Sequence, residues 1–91
     1  MDIFVLAAQQ IIKAQVAVIG PIALEQAKTI SGLKVINADQ VEISGNPQQA
    51  LEALVKRYAN FFGQASIEVC KDVIREIKPP IPATDLPDIL K

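Results

Sequence analysis

Few side chains in this 91-residue chain could carry chemistry. The sequence has no histidine and a single cysteine, Cys70. Imidazole base catalysis and histidine-ligated metal sites are therefore excluded, and so are an internal disulfide and a cysteine-rich zinc site. Because no histidine exists to activate Cys70 as a nucleophile, the sequence favours a buried structural thiol at this position. We predict no catalytic residue, no metal site and no cofactor.

Two carboxylates, Glu25 and Glu68, each stand three residues before a lysine, Lys28 or Lys71. Brought together, two carboxylates could form a general acid/base pair or a metal site. Their spacing to the lysines, however, is that of a weak ion pair on one helix. A solvated helix face is therefore favoured, and any further role of the two carboxylates is left open.

Glu25 and Glu68 are 43 residues apart, and the same separation relates a longer stretch of sequence. Residues 11–30 align with residues 54–73 at this offset of 43 (63 − 20). Gly20 falls on Gly63 in this alignment. Any two amphipathic helices match apolar to apolar residues, and a repeat is usually established from three copies upward. The shared glycine, followed at equal distances by Glu and Lys, nevertheless favours an internal repeat.

The elements that must position these residues are mainly helical. Apolar residues recur at helical spacing over residues 3–19, and the pattern resumes over residues 22–30. Because proline removes a helical hydrogen bond, Gly20-Pro21 indicates either a turn between two helices or a kink in one long helix. We predict the kink. Asn46-Pro47 predicts the start of a second helix that runs to about Lys78. No proline follows Gly63, and the apolar stripe passes through it, so we predict Gly63 inside a continuous helix.

Between the helices, residues 33–36 and 41–44 are short, alternating and β-branched, which predicts a β-hairpin. Residues directly opposite each other must share a face. This condition places Leu33 opposite Ile43, Val35 opposite Val41 and Lys34 opposite Glu42, with residues 36–40 as a five-residue loop. The predicted fold is thus mainly α with one short hairpin (α+β), in the order helix, β-hairpin, helix, with Gly20 and Gly63 at the centres of the long helices.

We predict one compact domain over residues 1–78 and a proline-rich tail over residues 79–91. The tail holds prolines 79, 80, 82 and 87 of the six in the chain, which is typical of an extended or disordered segment. Removal of residues 84–91 is expected to leave the fold intact. Residues 85–90 could bind another protein, although a simple linker end is the favoured interpretation.

The composition favours self-association. The chain is 51% hydrophobic with a mean hydropathy of +0.30, whereas so short a chain buries only a modest share of its surface. We therefore predict a homo-oligomer, at least a dimer. Three bulky residues that lie so close together, Tyr58, Phe61 and Phe62, cannot all face one core, so one of them is expected to reach a partner. The predicted interface comprises Ile19, Gly20, Tyr58, Phe61, Phe62 and Gly63.

Charge and hydropathy also exclude some classes of function. The net charge is −1 and the nine basic residues are scattered, so the chain lacks the basic patch of a nucleic-acid-binding protein. Asp2, Gln9, Gln10, Lys13 and Gln15 interrupt the apolar N-terminal stretch. This interruption disfavours both a signal peptide and a membrane-spanning helix. We therefore predict a cytoplasmic protein with no membrane insertion.

Together these observations predict a small, non-enzymatic cytoplasmic module. It would serve in homo-oligomeric assembly or as an adaptor for protein–protein interaction. The alternative is a ligand-sensing or regulatory domain with an apolar pocket near Phe61, Phe62 and Gly20. An enclosed cavity lined by these residues would favour the sensor, and an apolar interface without a cavity would favour the assembly module.

Overall fold

Helical segments surround one β-hairpin in the computed structural model of the chain, which describes residues 3–77 and 80–90. The elements follow the predicted order of helix, hairpin and helix, and the α+β fold class is confirmed. In chain order they are α1 (Ile3–Ile19), α2 (Ile22–Ala27), β1 (Leu33–Asn37), β2 (Gln40–Ile43), α3 (Pro47–Phe62), α4 (Gln64–Glu76) and two short 3₁₀ helices (Ala83–Asp85 and Asp88–Leu90).

Helix α3 begins where its local sequence predicts. The side-chain oxygen of Asn46 accepts a hydrogen bond of 3.1 Å from the backbone N–H of Gln49, and Pro47 opens the first turn. The carboxamide thus satisfies one of the amide groups that the start of a helix leaves unpaired. One face of α3 then enters the core through Ala50, Leu51, Leu54, Val55 and Tyr58.

The two glycines break the helices instead of lying within them. Gly63 has a φ of +85° and separates α3 from α4, and Gly20 has a φ of +86° and separates α1 from α2. The predicted continuous helix through Gly63 is therefore wrong, and the predicted kink at Gly20-Pro21 is a complete break. A Cβ added at either glycine would meet no atom within 4 Å. Backbone conformation, and not close helix packing, accounts for glycine at both positions.

The hairpin has the predicted register over its first three pairs, Leu33 with Ile43, Lys34 with Glu42 and Val35 with Val41. Asn37 then pairs with Gln40, so the register shifts between residues 35 and 37. The hairpin therefore closes through a bulge and a two-residue turn instead of the predicted five-residue loop. The side chain of Asn37 stabilises this turn by accepting a 2.8 Å hydrogen bond from the N–H of Asp39.

The C-terminal segment packs against the helices. Ile81, Leu86 and Leu90 are buried, and the Gln48 side chain donates a 2.9 Å hydrogen bond to the Leu86 carbonyl. For residues 80–90 the structure therefore contradicts the predicted extended or disordered tail. Its prolines instead introduce two tight turns, which aim the intervening apolar side chains at the core. The predicted boundary between residues 78 and 79 lies outside the described residues.

The conformation of Gly63 generates a prediction of opposite sign from that of a continuous helix. Its φ of +85° and ψ of −173° lie in a region that is essentially restricted to glycine, and a side chain there costs about 1–3 kcal/mol. Gly63→Ala should therefore lower the free energy of unfolding in urea by this amount, although the added methyl group meets no neighbour.

The control for this experiment is Gln64→Ala, one residue further on, which should change stability little at the same protein concentration. In an exposed, continuous helix Gly63→Ala would instead stabilise the chain by about 1 kcal/mol. An increase in stability would thus contradict the break at Gly63.

The buried C-terminal segment yields a second prediction. Leu86 is 6% exposed, and a buried leucine cut back to alanine typically costs about 2–5 kcal/mol. Leu86→Ala should therefore lower the urea midpoint clearly, and deletion of residues 84–91 should lower it further. Thr84→Ala, at an exposed position of the same segment, should leave the midpoint unchanged. Equal stability of all three variants and the full chain would show that this segment does not pack on the core.

Candidate interaction surface

A buried hydrogen bond joins α1 to α4 near both glycines. The fully buried side chain of Gln15 donates from Nε2 to the Ser66 carbonyl at 3.1 Å. Gln15 lies five residues before Gly20, and Ser66 lies three after Gly63. At a rise of about 1.5 Å per residue, each glycine lies within about 8 Å of this bond, measured along the axis of the adjoining helix. The end of α1 and the beginning of α4 therefore lie at the same end of the molecule.

A second buried hydrogen bond brings α2 to the same place. The fully buried Tyr58 hydroxyl donates to the Ala23 carbonyl at 2.8 Å. This contact sets the first turn of α2 against the last turn of α3, so Ile22 lies near the residues that follow Tyr58. The resulting surface is called the glycine end below and comprises Val18, Ile19, Gly20, Ile22, Phe61, Phe62 and Gly63.

Large apolar side chains are exposed at the glycine end. Val18 is 64% exposed, Phe61 56% and Ile22 47%, while Ile19 and Phe62 are half-buried. Within the described residues the only other exposed large apolar side chain is that of Ile36, on the hairpin. A single exposed apolar residue is ordinary, whereas several at one end make this surface a candidate for contact with a partner.

Both stretches that build this end lack charge. Residues 14–24 and residues 58–67 contain no Asp, Glu, Lys or Arg. Charged residues stand immediately outside them, with Lys13 and Glu25 beside the first stretch and Arg57 and Glu68 beside the second. Depletion of charged residues is also what characterises the core of a protein–protein interface, so this feature makes the glycine end a candidate interaction surface.

The aromatic side chains hold one another in place. The Phe61 and Phe62 ring centroids are 6.1 Å apart, and those of Tyr58 and Phe62 are 6.5 Å apart. The Arg57 guanidinium lies 5.9 Å from the centroid of Phe61, a cation–π contact. Phe61 is thus exposed but already oriented, which reduces the entropy that a partner would have to remove on binding.

Five of the six residues predicted for the interface, Ile19, Gly20, Phe61, Phe62 and Gly63, lie at this end. Tyr58 does not, because its ring is fully buried and its hydroxyl is bonded within the chain. Burial, with the Cys70 thiol nearby, raises the pKa of Tyr58 above its usual range. Sequence reasoning missed Val18 and Ile22, although the uncharged stretch that contains them was a signal that could have found them.

The thiol lies in the core. Cys70 is fully buried, as predicted, and the Gln15 amide contacts its Sγ at 3.4 Å. Burial raises the pKa of the Cys70 thiol to about 11, and the hydrogen bond from Gln15 only partly opposes this rise. Near neutral pH the group is therefore a protonated thiol with no access to solvent.

The two repeated carboxylates, Glu25 and Glu68, lie on exposed helix surfaces. Glu25 lies 3.9 Å from the Lys28 ammonium, both are well exposed, and the predicted intrahelical pair is present at its outer limit. Glu68 is exposed as well, and the described residues show no ion pair for it. Along the described chain, no three acidic or cysteine side chains are grouped so that they could hold a metal ion.

Several open clefts lie away from the glycine end. One, of about 530 Å³, lies between α1 and α4 and is lined by residues that include Leu6, Lys13 and Glu76. Five clefts are found among the described residues with linings that do not include Phe61, Phe62 or Gly20. They therefore offer no pocket at the place where the ligand-sensing alternative requires one.

Comparison of the chain with protein-family models, curated proteins and solved structures finds no match. Among the described helices, none combines the length and the apolar character needed to cross a membrane. The choice of the glycine end as the candidate interaction surface therefore rests on its geometry, its exposed apolar side chains and its lack of charge.

The environment of Cys70 yields a third prediction. At about pH 8 its thiol should react with a disulfide reagent roughly 100-fold more slowly than an exposed cysteine, because reaction requires the core to open. The rate should recover fully in denaturing urea. Ser44→Cys, which adds a thiol at an exposed position, provides the reference in the same molecule. Equal rates for the two thiols would contradict the burial of Cys70.

Proposed function

We propose that the chain is a non-enzymatic assembly module whose copies associate through the glycine end. The observation that carries this proposal is the exposure of Val18, Ile22 and Phe61 together, on a surface built from two uncharged stretches. Association removes these side chains from water, and each Å² of apolar surface buried contributes roughly 25 cal/mol. Phe61, a large and pre-oriented aromatic side chain, is the natural anchor.

The required interface fits the size of the molecule. A specific protein–protein interface of ordinary size buries roughly 800 Å² on each partner. The chain exposes 4975 Å², so such an interface would cover about a sixth of its surface. One end of a body with extents of 29 × 25 × 19 Å is a reasonable source for that share.

The non-enzymatic character is supported by the absence of histidine from the sequence and by the protonated, buried state of Cys70. A cytoplasmic location belongs to the same proposal and is supported by a lone cysteine with no disulfide partner. The C-terminal segment is not included as a binding site for another protein, because Leu86 and Leu90 are already buried within the chain.

A matched pair of variants tests this proposal. Phe61→Glu places a carboxylate on the glycine end, whereas Ile36→Glu makes the same change at a side chain of nearly equal exposure, 54% against 56%. An unpaired carboxylate is costly to bury. Light scattering after size exclusion, at roughly 1–100 μM protein, should give at least twice the chain mass of 9.8 kDa for the full chain and for Ile36→Glu. Phe61→Glu should give the mass of a monomer.

Val18→Glu serves as an independent second variant and should behave like Phe61→Glu. The thermal unfolding of each monomeric variant shows whether it is still folded, which is expected because both side chains are exposed. A full chain that remains at 9.8 kDa over the whole concentration range would overturn the proposal. Dissociation by Ile36→Glu alone would move the interface to the hairpin.

A further inference from the structure

The two buried hydrogen bonds at the glycine end are related by the repeat offset. Gln15 aligns with Tyr58 and Ala23 aligns with Ser66 at the offset of 43 (58 − 15 and 66 − 23). Gln15 donates to the carbonyl of Ser66, and Tyr58 donates to the carbonyl of Ala23. Each half of the chain thus makes with the other half the contact that the other makes with it, which is the relation that a two-fold axis generates.

The glycine turns repeat the same geometry. The φ angles of Gly20 and Gly63 are +86° and +85°. Each glycine N–H donates to the carbonyl four residues earlier at 2.9 Å, and each glycine carbonyl accepts from the N–H three residues later at 3.1 Å. The agreement extends to conformation and to hydrogen bonding, and so exceeds what two amphipathic helices would share by chance.

The buried positions also correspond. Five fully buried residues of the first half align, at the same offset, with five fully buried residues of the second, all at 0% exposure. In order they are Ala8, Ile11, Ile12, Gln15 and Ala27 in the first half and Leu51, Leu54, Val55, Tyr58 and Cys70 in the second.

From these relations we infer that residues 3–30 and residues 46–73 are related by a pseudo-two-fold axis that passes through the glycine end. We propose that this end takes a second copy of the chain with its halves reversed, so that Phe61 of one copy packs against Val18 and Ile22 of the other. The inference rests on the proposed function and specifies its partner and its geometry.

The sizes of the side chains favour reversed halves. Phe61 aligns with the smaller Val18, whereas Ala65 aligns with the larger Ile22. If like halves met, two Phe61 rings would face each other while two Val18 side chains faced across a gap. Reversed halves set each large side chain of one copy against a smaller one of the other, Phe61 against Val18 and Ile22 against Ala65, which fills space at the density of a protein interior.

The charges at the periphery favour the same arrangement. Arg57 covers the ring of Phe61 and has no ion pair among the described residues. Glu25 lies one turn after Ile22 on the same helix face, is 69% exposed, and contacts Lys28 only at 3.9 Å. When Phe61 of one copy packs against Ile22 of the other, Arg57 and Glu25 are brought together twice in the dimer.

Cysteine cross-linking distinguishes the two orientations. Val18→Cys and Phe61→Cys are prepared separately in a Cys70→Ser background and oxidised alone and as an equal mixture, at a concentration where light scattering shows the dimer. A disulfide forms only where the two Cα atoms approach to about 4.4–6.8 Å. Reversed halves predict covalent dimers in the mixture and in a chain that carries both Val18→Cys and Phe61→Cys, with little product from either single variant alone.

A charge reversal provides a second readout. Arg57→Glu and Glu25→Arg should each weaken dimerisation roughly 10-fold, and the double variant should recover most of the loss. The same reversal at the hairpin pair, Lys34→Glu with Glu42→Lys, should have no effect on dimerisation.

The outcomes separate this inference from the proposed function. Efficient cross-linking of Phe61→Cys with itself, or a dimer that gives no cross-link in any combination, would overturn the reversed arrangement and leave self-association intact. A full chain that is monomeric at every concentration would overturn both.

Discussion

The fold depends on two buried hydrogen bonds that the side chains of Gln15 and Tyr58 make to backbone carbonyls within a mostly apolar core. Gln15 and Tyr58 are both fully buried, and each donates to a backbone carbonyl of the other half of the chain. A buried donor without a partner costs about 1–3 kcal/mol, so these groups strongly favour the one arrangement of helices that satisfies them. Apolar packing alone tolerates many helix arrangements, whereas these two bonds specify where each helix crosses its neighbour.

This constraint also explains why the glycines stand where they do. The carbonyls of Ala23 and Ser66 belong to the first turn of a helix that follows a glycine break. If α1 and α3 continued straight through Gly20 and Gly63, the following helices would extend away from the core. The positive φ at each glycine turns the chain back, which buries the next helix and leaves the residues at the turn exposed.

Local signals in the sequence predicted local structure well. The cap at Asn46-Pro47 and the register of Leu33 with Ile43 follow from residue chemistry over a few positions, and the structure has both. The break at Gly63 could not be read in the same way, because the apolar stripe continues through it. Only the contact of α4 with α1, between residues far apart in sequence, requires the chain to turn there.

The candidate interaction surface was predictable only where local sequence marks it. Phe61 and Phe62 stand out as crowded aromatic residues, and they do lie at the glycine end. Val18 resembles a core residue in any helical pattern, and its exposure depends on which side of α1 the neighbouring helices occupy. For the C-terminal segment the prediction failed, because its prolines indicate an extended chain on the surface. Leu86 and Leu90 are instead buried in the core beside α3 and α4.

The two halves make the same buried contact with different side chains, Gln15 in the first half and Tyr58 in the second. The two side chains differ in how completely their polar atoms are hydrogen-bonded. Tyr58 has a single polar atom, and it is bonded. Gln15, at the aligned position, donates from Nε2 but leaves Oε1 buried without a hydrogen-bond partner among the described residues. An unsatisfied buried acceptor is destabilising, so the second half satisfies its polar core more completely. If the halves share an origin, selection has kept the backbone contacts that relate them while the side chains diverged. Such divergence gives each half one large and one small side chain in opposite order, Val18 and Ile22 in the first half and Phe61 and Ala65 in the second. A surface of that kind is complementary to itself when its halves are reversed.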